Sequence, residues 1–143
     1  MTLEMNTVVA HSTTGKPPIV VDNAHYGRLH DLASAAIERA PDVATLLLDE
    51  LERAEACSSD EMPPTVVNIG SNVTFRYNDN GQSRTVRLVF PNDADISKGW
   101  VSVLTPIGAT LLGLAEGDQM EWTTRYGEAR SLTILTVNEP SGD

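Results

Sequence analysis

The chain has 143 residues and a formal net charge of −10, which suits one ordinary domain or a compact domain with a short helical addition. Its ten lysines and arginines are scattered, and this argues against direct nucleic-acid binding, which depends on clustered positive charge. A lone Cys57 excludes an internal disulfide, and no apolar run reaches membrane length. We therefore expect a cytoplasmic protein with no membrane association.

Two helices are predicted in the first half of the chain. Residues 1–19 are polar and rich in turn-forming residues, which predicts a mobile tail. A helical spacing of apolar residues follows a cap at Asp22 or Asn23, and a second one starts at Pro41. The predicted buried stripes are Leu29, Leu32, Ala33, Ala36 and Ile37, then Val43, Leu47, Leu51 and Ala54, widened by Leu46 and Leu48.

The very short connection between the helices predicts an αα-hairpin in which the two stripes pack on each other. The alternative is a pair of ordinary core helices that cover a sheet. Glu50, Glu52 and Glu55 are predicted to lie on the solvated outer face of the second helix.

Period-two alternation begins at Thr65 and predicts strands over residues 66–69, 73–77 and 84–90, with a hairpin turn at 78–81. Residues 91–99 are predicted to form a polar, solvated loop, and residues 131–137 a closing strand. The stretch from Trp100 to Trp122 is predicted as strand, short helix and strand, with Thr105 as the helix cap and Pro106 in the first turn. On pattern alone this stretch is typical of a buried corner without chemistry.

The sequence offers no convergent catalytic groups, and we expect neither an enzyme nor a bound metal or cofactor. His25 and His30 are five residues apart, so one helix face does not present both. Near the hairpin tip, Glu38 and Asp42 flank Arg39, and two carboxylates could coordinate a cation there. In the alternative reading Asp42 is favoured by the helix dipole and Glu38 is a surface residue.

Two motifs carry a family resemblance. C-S-S-D-E-M-P at residues 57–63 and S-V-L-T-P-I-G-x-x-L-L-G-x-x-x-G-D at residues 102–118 resemble the Rnk family, regulators of nucleoside diphosphate kinase, and the C-terminal domain of GreA/GreB factors. The resemblance spans residues 22–137. It implies an α+β fold: a short antiparallel coiled coil over residues 20–60, then an FKBP-like antiparallel sheet domain with one short helix over residues 61–143.

The resemblance also implies a function without catalysis. The expected partner is RNA polymerase, met by a monomer at the rim of the secondary channel, in competition with Gre factors and without stimulation of transcript cleavage. Regulation of nucleoside diphosphate kinase would be indirect. The expected contact is Leu104, Thr105 and Pro106, together with Glu38, Arg39 and Asp42 at the hairpin tip.

Two alternatives stay open. An active transcript-cleavage factor would need the tip carboxylates to reach the polymerase active centre. A peptidyl-prolyl isomerase of the FKBP type would need an aromatic-lined pocket, and the chain has few aromatic residues.

Overall fold

A computed structural model describes residues 18–123 and 127–138, and the tail predicted for residues 1–17 lies outside this part. Helices precede most of the strands, which confirms the mixed α+β class. The elements are β1 (Val20–Asp22), α1 (Asn23–Ala36), α2 (Pro41–Arg53), β2 (Glu55–Cys57), β3 (Asn72–Tyr77), β4 (Ser83–Val89), β5 (Trp100–Ser102), α3 (Pro106–Leu111), β6 (Gln119–Thr123) and β7 (Ala129–Asn138).

The two N-terminal helices form the predicted hairpin. Asp22 caps α1 by accepting a hydrogen bond from the Ala24 amide at 2.8 Å, and Pro41 occupies the first turn of α2. The helices contact each other, and the Tyr26 hydroxyl donates to the Leu51 carbonyl at 2.9 Å. The stripe residues Leu29, Ala33, Ala36, Leu47 and Leu51 are all fully buried. Ile37 follows the end of α1 and remains partly exposed.

Two of the three predicted surface glutamates are placed differently. Glu50 is fully buried, and its Oε1 accepts a charge-assisted hydrogen bond from Arg53 at 2.8 Å. The reason is geometric, because a position three residues after Leu47 lies on the buried stripe of a helix. Glu55 belongs to β2, since α2 ends at Arg53, but its side chain is exposed as predicted. Glu52 is exposed, as predicted.

The hairpin shares one hydrophobic core with the sheet. His25 of α1 packs edge-on against the Phe90 ring, with centroids 5.7 Å apart, and the Arg28 guanidinium lies 3.8 Å from the same ring centroid. Helix α2 contacts α3. The helices therefore pack on each other and also cover other elements, which combines the two arrangements considered from the sequence.

The main sheet has the strand order β5-β4-β3-β7-β6. The strands predicted over residues 73–77, 84–90 and 131–137 are confirmed as β3, β4 and β7, and β3 pairs with both β4 and β7 in antiparallel orientation. The pairing of β5 with β4 is parallel. The sheet is therefore mixed, whereas a wholly antiparallel sheet was expected. The segment after β4 brings the chain back beside Arg87, and β5 then runs in the same direction along the last three residues of β4.

The predicted strand at residues 66–69 is wrong in extent, because only Val66 forms a bridge, with Ala115. Val67 exchanges two backbone hydrogen bonds with the same segment, to Leu114 at 2.7 Å and from Gly113 at 3.0 Å. On the other side, the Val20 amide donates to the Gly113 carbonyl at 3.3 Å. Residues 113–116 therefore connect the helical half to the sheet half.

Gly113 is required at this junction. Its φ is +82°, and a Cβ built on it would lie 2.7 Å from the Ile19 Cβ, closer than real side chains approach. Ile19, the last residue of the segment predicted as a tail, is buried. The parallel pair β1–β2 joins the segment before α1 to the segment after α2, next to this junction.

Candidate functional site

The turn between β5 and α3 contains the three predicted contact residues, Leu104, Thr105 and Pro106. Thr105 Oγ1 accepts from the Gly108 amide at 3.1 Å and donates to the Ser102 carbonyl at 2.7 Å, which confirms the predicted cap. The Leu104 amide donates to Ser102 Oγ at 2.9 Å. Both ends of the turn are therefore fixed by hydrogen bonds before any partner binds.

The three side chains of the turn differ in exposure. Pro106 is exposed, and Thr105 is half-buried. Leu104 is also half-buried and packs against the core, so it offers only part of its surface to a partner. The turn presents a small, mainly apolar contact area.

Gly108 sets the close approach of α3 to β5. A Cβ built on it would overlap the Ser102 carbonyl oxygen and would lie 2.9 Å from both the Ser102 carbonyl carbon and Thr105 Oγ1. Any larger residue must displace the backbone that carries the turn. Gly108 belongs to the motif at residues 102–118, but the sequence pattern alone does not indicate this packing role.

The hairpin tip is a separate surface. Glu38, Arg39 and Asp42 are exposed, and within the described ranges no hydrogen bond or ion pair joins them to the Leu104–Pro106 turn. Asp42 lies in the first turn of α2, where the helix dipole favours a carboxylate. Within residues 18–123 and 127–138, no cluster of three or more metal-binding side chains is present.

Asp22 does more than cap a helix. It is 4% exposed, and besides the Ala24 amide it accepts from Ser59 Oγ at 2.7 Å and from Asn68 Nδ2 at 3.2 Å. Burial raises the pKa of Asp22, but the hydrogen bonds from Ser59, Ala24 and Asn68 outweigh it, so the pKa is lowered overall. One carboxylate thus ties together α1, the linker and the start of the sheet half. The sequence indicated only the cap.

Asp22→Asn is expected to lower the free energy of unfolding at pH 7 by about 1–3 kcal/mol, because both carboxylate oxygens of Asp22 accept hydrogen bonds. In asparagine only one of the two terminal atoms can accept, and the NH2 group would face a donor. A lowered folded-state pKa contributes stability above the unfolded value near ~3.9, and this is lost as the pH falls through the folded value. The difference between the two proteins should therefore shrink below roughly pH 4. Urea denaturation of both proteins at several pH values measures this difference in the free energy of unfolding. The control Asp31→Asn, at an exposed site on α1, should change little. An equal loss at every pH would contradict the ionic contribution.

Neither the Cys57 thiol nor the pocket lined by residues between 62 and 71 resembles a catalytic site. Burial, followed by the carboxylates of Glu61, Asp22 and Glu55, raises the pKa of the Cys57 thiol, whereas nucleophilic cysteines have a lowered pKa. A pocket of about 230 Å³ has no aromatic or titratable side chain in its lining, which consists of Met62, Pro63, Pro64, Val66, Asn68, Ile69 and Ser71. This pocket lacks the aromatic lining that a prolyl isomerase was expected to need.

Within the described residues, no helix has the length and apolar character to cross a bilayer.

Comparison with known proteins gives two family matches along the chain. Residues 62–139 match the family described as "Transcription elongation factor, GreA/GreB, C-term", and residues 17–56 match the family described as "Rnk N-terminus". The first match includes the Leu104–Pro106 turn, and the second includes the hairpin tip.

Individual relatives agree with these matches. The "Regulator of nucleoside diphosphate kinase" of Escherichia coli K12 is 35% identical over 131 residues, covering 90% of this chain and 96% of that protein. The "Transcription elongation factor GreA" of Azorhizobium caulinodans is 29% identical over 81% of this chain and 71% of that protein. A solved structure, the "Prokaryotic transcription elongation factor GreA/GreB from Nitrosomonas europaea", superposes with a TM-score of 0.65 and 35% identity, covering 86% of this chain and 99% of that one.

Proposed function

The chain belongs to the Rnk family and carries a GreA/GreB C-terminal domain, and from this premise we propose that it regulates transcription by binding RNA polymerase. The contact is the Leu104–Pro106 turn, at the rim of the secondary channel. The observation that supports this proposal best is the fixed turn itself. The Thr105 hydroxyl is hydrogen-bonded to Ser102 before the turn and to Gly108 after it, and Pro106 is exposed. A preorganised turn loses little conformational freedom on binding.

The short hairpin supports binding without stimulated transcript cleavage. Helices α1 and α2 have 14 and 13 residues, which at 1.5 Å per residue gives each a length of roughly 20 Å. The tip carries two exposed carboxylates, Glu38 and Asp42. In this proposal the protein competes with Gre factors for the rim, and the tip does not deliver a metal to the active centre. Any influence on nucleoside diphosphate kinase is then indirect, through transcription.

The proposal treats residues 20–60 as the hairpin module and residues 61–143 as the polymerase-binding module. The shared core supports their acting together in a monomer. Active transcript cleavage remains the second candidate function, because the two tip carboxylates are present and unobstructed.

Competition with a Gre factor tests this function. Purified protein should displace labelled GreA from core RNA polymerase, yet leave the cleavage rate of a backtracked transcript at its background value. Glu38→Ala/Asp42→Ala should leave the cleavage rate at the same background value, because the tip has no catalytic part in this proposal. Stimulated cleavage that disappears in this double variant would establish the alternative, an active cleavage factor.

Leu104→Ser tests the turn. Removing the partly exposed apolar side chain should weaken polymerase binding roughly three- to tenfold, as expected for about 1 kcal/mol of lost apolar contact. The loss should persist at high salt, because apolar contact is not screened. Binding is measured together with the melting temperature, since Leu104 also packs on the core. Undiminished binding with a lower melting temperature would assign the side chain to the core alone.

A further inference from the structure

A cationic and aromatic patch lies at one corner of the sheet, around Trp100. The Arg87 guanidinium carbon is 5.1 Å and the Lys98 ammonium 4.8 Å from the Trp100 ring centroid. Ile96, in the loop before Trp100, is 74% exposed. We call these four residues the Trp100 patch. Two cations held on one ring and an adjacent exposed aliphatic side chain form a mixed ionic and apolar surface.

The loop that presents the patch is closed by hydrogen bonds. The backbones of Asp95 and Trp100 exchange two hydrogen bonds of 2.9 Å. The Asp95 carboxylate accepts from the Ser97 amide at 3.1 Å and from the Ser97 hydroxyl at 2.6 Å, and Gly99 takes a left-handed conformation with φ +76°. Ile96 and Lys98 therefore occupy fixed positions, and a partner would not need to order them.

The patch contrasts with the charge of the remaining surface. Residues 18–62 contain ten carboxylates and three arginines. Neither Arg87 nor Lys98 forms an ion pair within the described residues, and the Arg87 side chain is held by Asn72 Oδ1 at 3.3 Å. The Asp95 carboxylate is the acid nearest to Lys98 in sequence. Hydrogen bonds from Ser97, together with the charge of Lys98, lower the pKa of Asp95. A partner surface that carries carboxylates would be repelled by the helical half and attracted at this corner.

From these observations we infer that the Trp100 patch is a second contact with RNA polymerase, one that receives a polymerase surface carrying carboxylates beside an apolar side chain. The inference rests on the proposed function. Trp100 begins β5 and Leu104 follows its end, so the patch and the turn are about 13 Å apart along an extended chain. One protein surface can therefore cover both. A nucleic-acid strand is disfavoured, because a base would have to displace a cation to stack on Trp100.

The experiment measures binding of the full-length protein to core RNA polymerase across a range of salt concentrations. Arg87→Gln/Lys98→Gln should bind about five- to tenfold more weakly than the unchanged protein at roughly 50 mM salt and within about twofold of it at roughly 500 mM. Ile96→Ser should bind more weakly at both concentrations. The matched control Arg76→Gln/Arg84→Gln removes two exposed arginines elsewhere on the same sheet, and it should change binding by less than about twofold.

The outcomes separate the two proposals. If the unchanged protein does not bind polymerase, the proposed function and the patch contact both fail. If it binds, and Arg87→Gln/Lys98→Gln binds equally well at low salt, only the patch contact is overturned. Equal losses in the patch and control pairs would point to nonspecific charge and would also overturn it. Binding of a single-stranded oligonucleotide that depends on Arg87 and Lys98 would assign the patch to nucleic acid instead. Lys98→Gln alone repeats the test if the double variant melts at a lower temperature.

Discussion

Leu47→Asp is expected to lower the free energy of unfolding by at least about 3–5 kcal/mol, a large share of the 5–15 kcal/mol typical of a domain. Leu47 is 0% exposed and belongs to the common core with Leu29 and Leu51. The variant loses the burial of an apolar side chain and must also accommodate a carboxylate without a partner. Chemical denaturation measures the loss, and a much lower melting temperature should accompany it.

Thr45→Asp is the matched control, because it introduces the same charge at an exposed position two residues earlier on α2. Its stability should change by no more than about 0.5 kcal/mol. An unchanged melting curve for Leu47→Asp would mean that this side chain faces solvent, and the packing of the two helices would then need to be revised.

Gly108→Ala is expected to cost about 2–4 kcal/mol of stability, although it adds only one methyl group. That methyl group would overlap the Ser102 carbonyl, and the overlap can be relieved only by moving the backbone of β5 or α3. The same movement would disturb the cap formed by Thr105, so polymerase binding should weaken more than the loss of folded protein explains. Binding at a temperature where the variant is fully folded separates the two effects.

Gly27→Ala is the control, and it is expected to have the opposite effect on stability. Gly27 is an exposed residue within α1, and no atom lies within 4 Å of a Cβ built there. Alanine is the better helix former, so this variant should gain about 0.5–1 kcal/mol. Equal stability of the two alanine variants would contradict the close approach of α3 to β5.

The helices, most strands and the turn could be predicted from local pattern, because each depends on residues near in sequence. The apolar spacing around Leu29 and Leu47 identified the buried stripes, and the order Thr105-Pro106 identified a cap that the structure contains. The prediction that Glu50 is solvated was wrong, because its position on the buried stripe decides its burial and its charge does not. Its spacing from Leu47 was the signal that could have placed it.

What could not be predicted depends on pairing between distant segments. Residues 66–69 alternate like a strand, yet Val66 and Val67 find their partners in residues 113–116. The Trp100 patch requires the parallel register that places Arg87 beside Trp100, and no local pattern specifies that register. Asp22 meets Ser59 and Asn68 for the same reason, since 37 and 46 residues separate them along the chain.

The double pairing of residues 113–116 has a consequence for partner selection. The Leu104–Pro106 turn leads into helix α3, whose first residue is Pro106. Gly113 follows the end of α3 and is hydrogen-bonded to Val20 on one side and to Val67 on the other. The hairpin and the turn are thereby joined through the Gly113 hydrogen bonds and one hydrophobic core, which set their separation in the structure. A partner with two receiving sites at a different spacing could engage one of them but not both. With the tip and the turn as contacts, as proposed above, the protein would discriminate between partners by distance, even when their individual contact chemistry is the same.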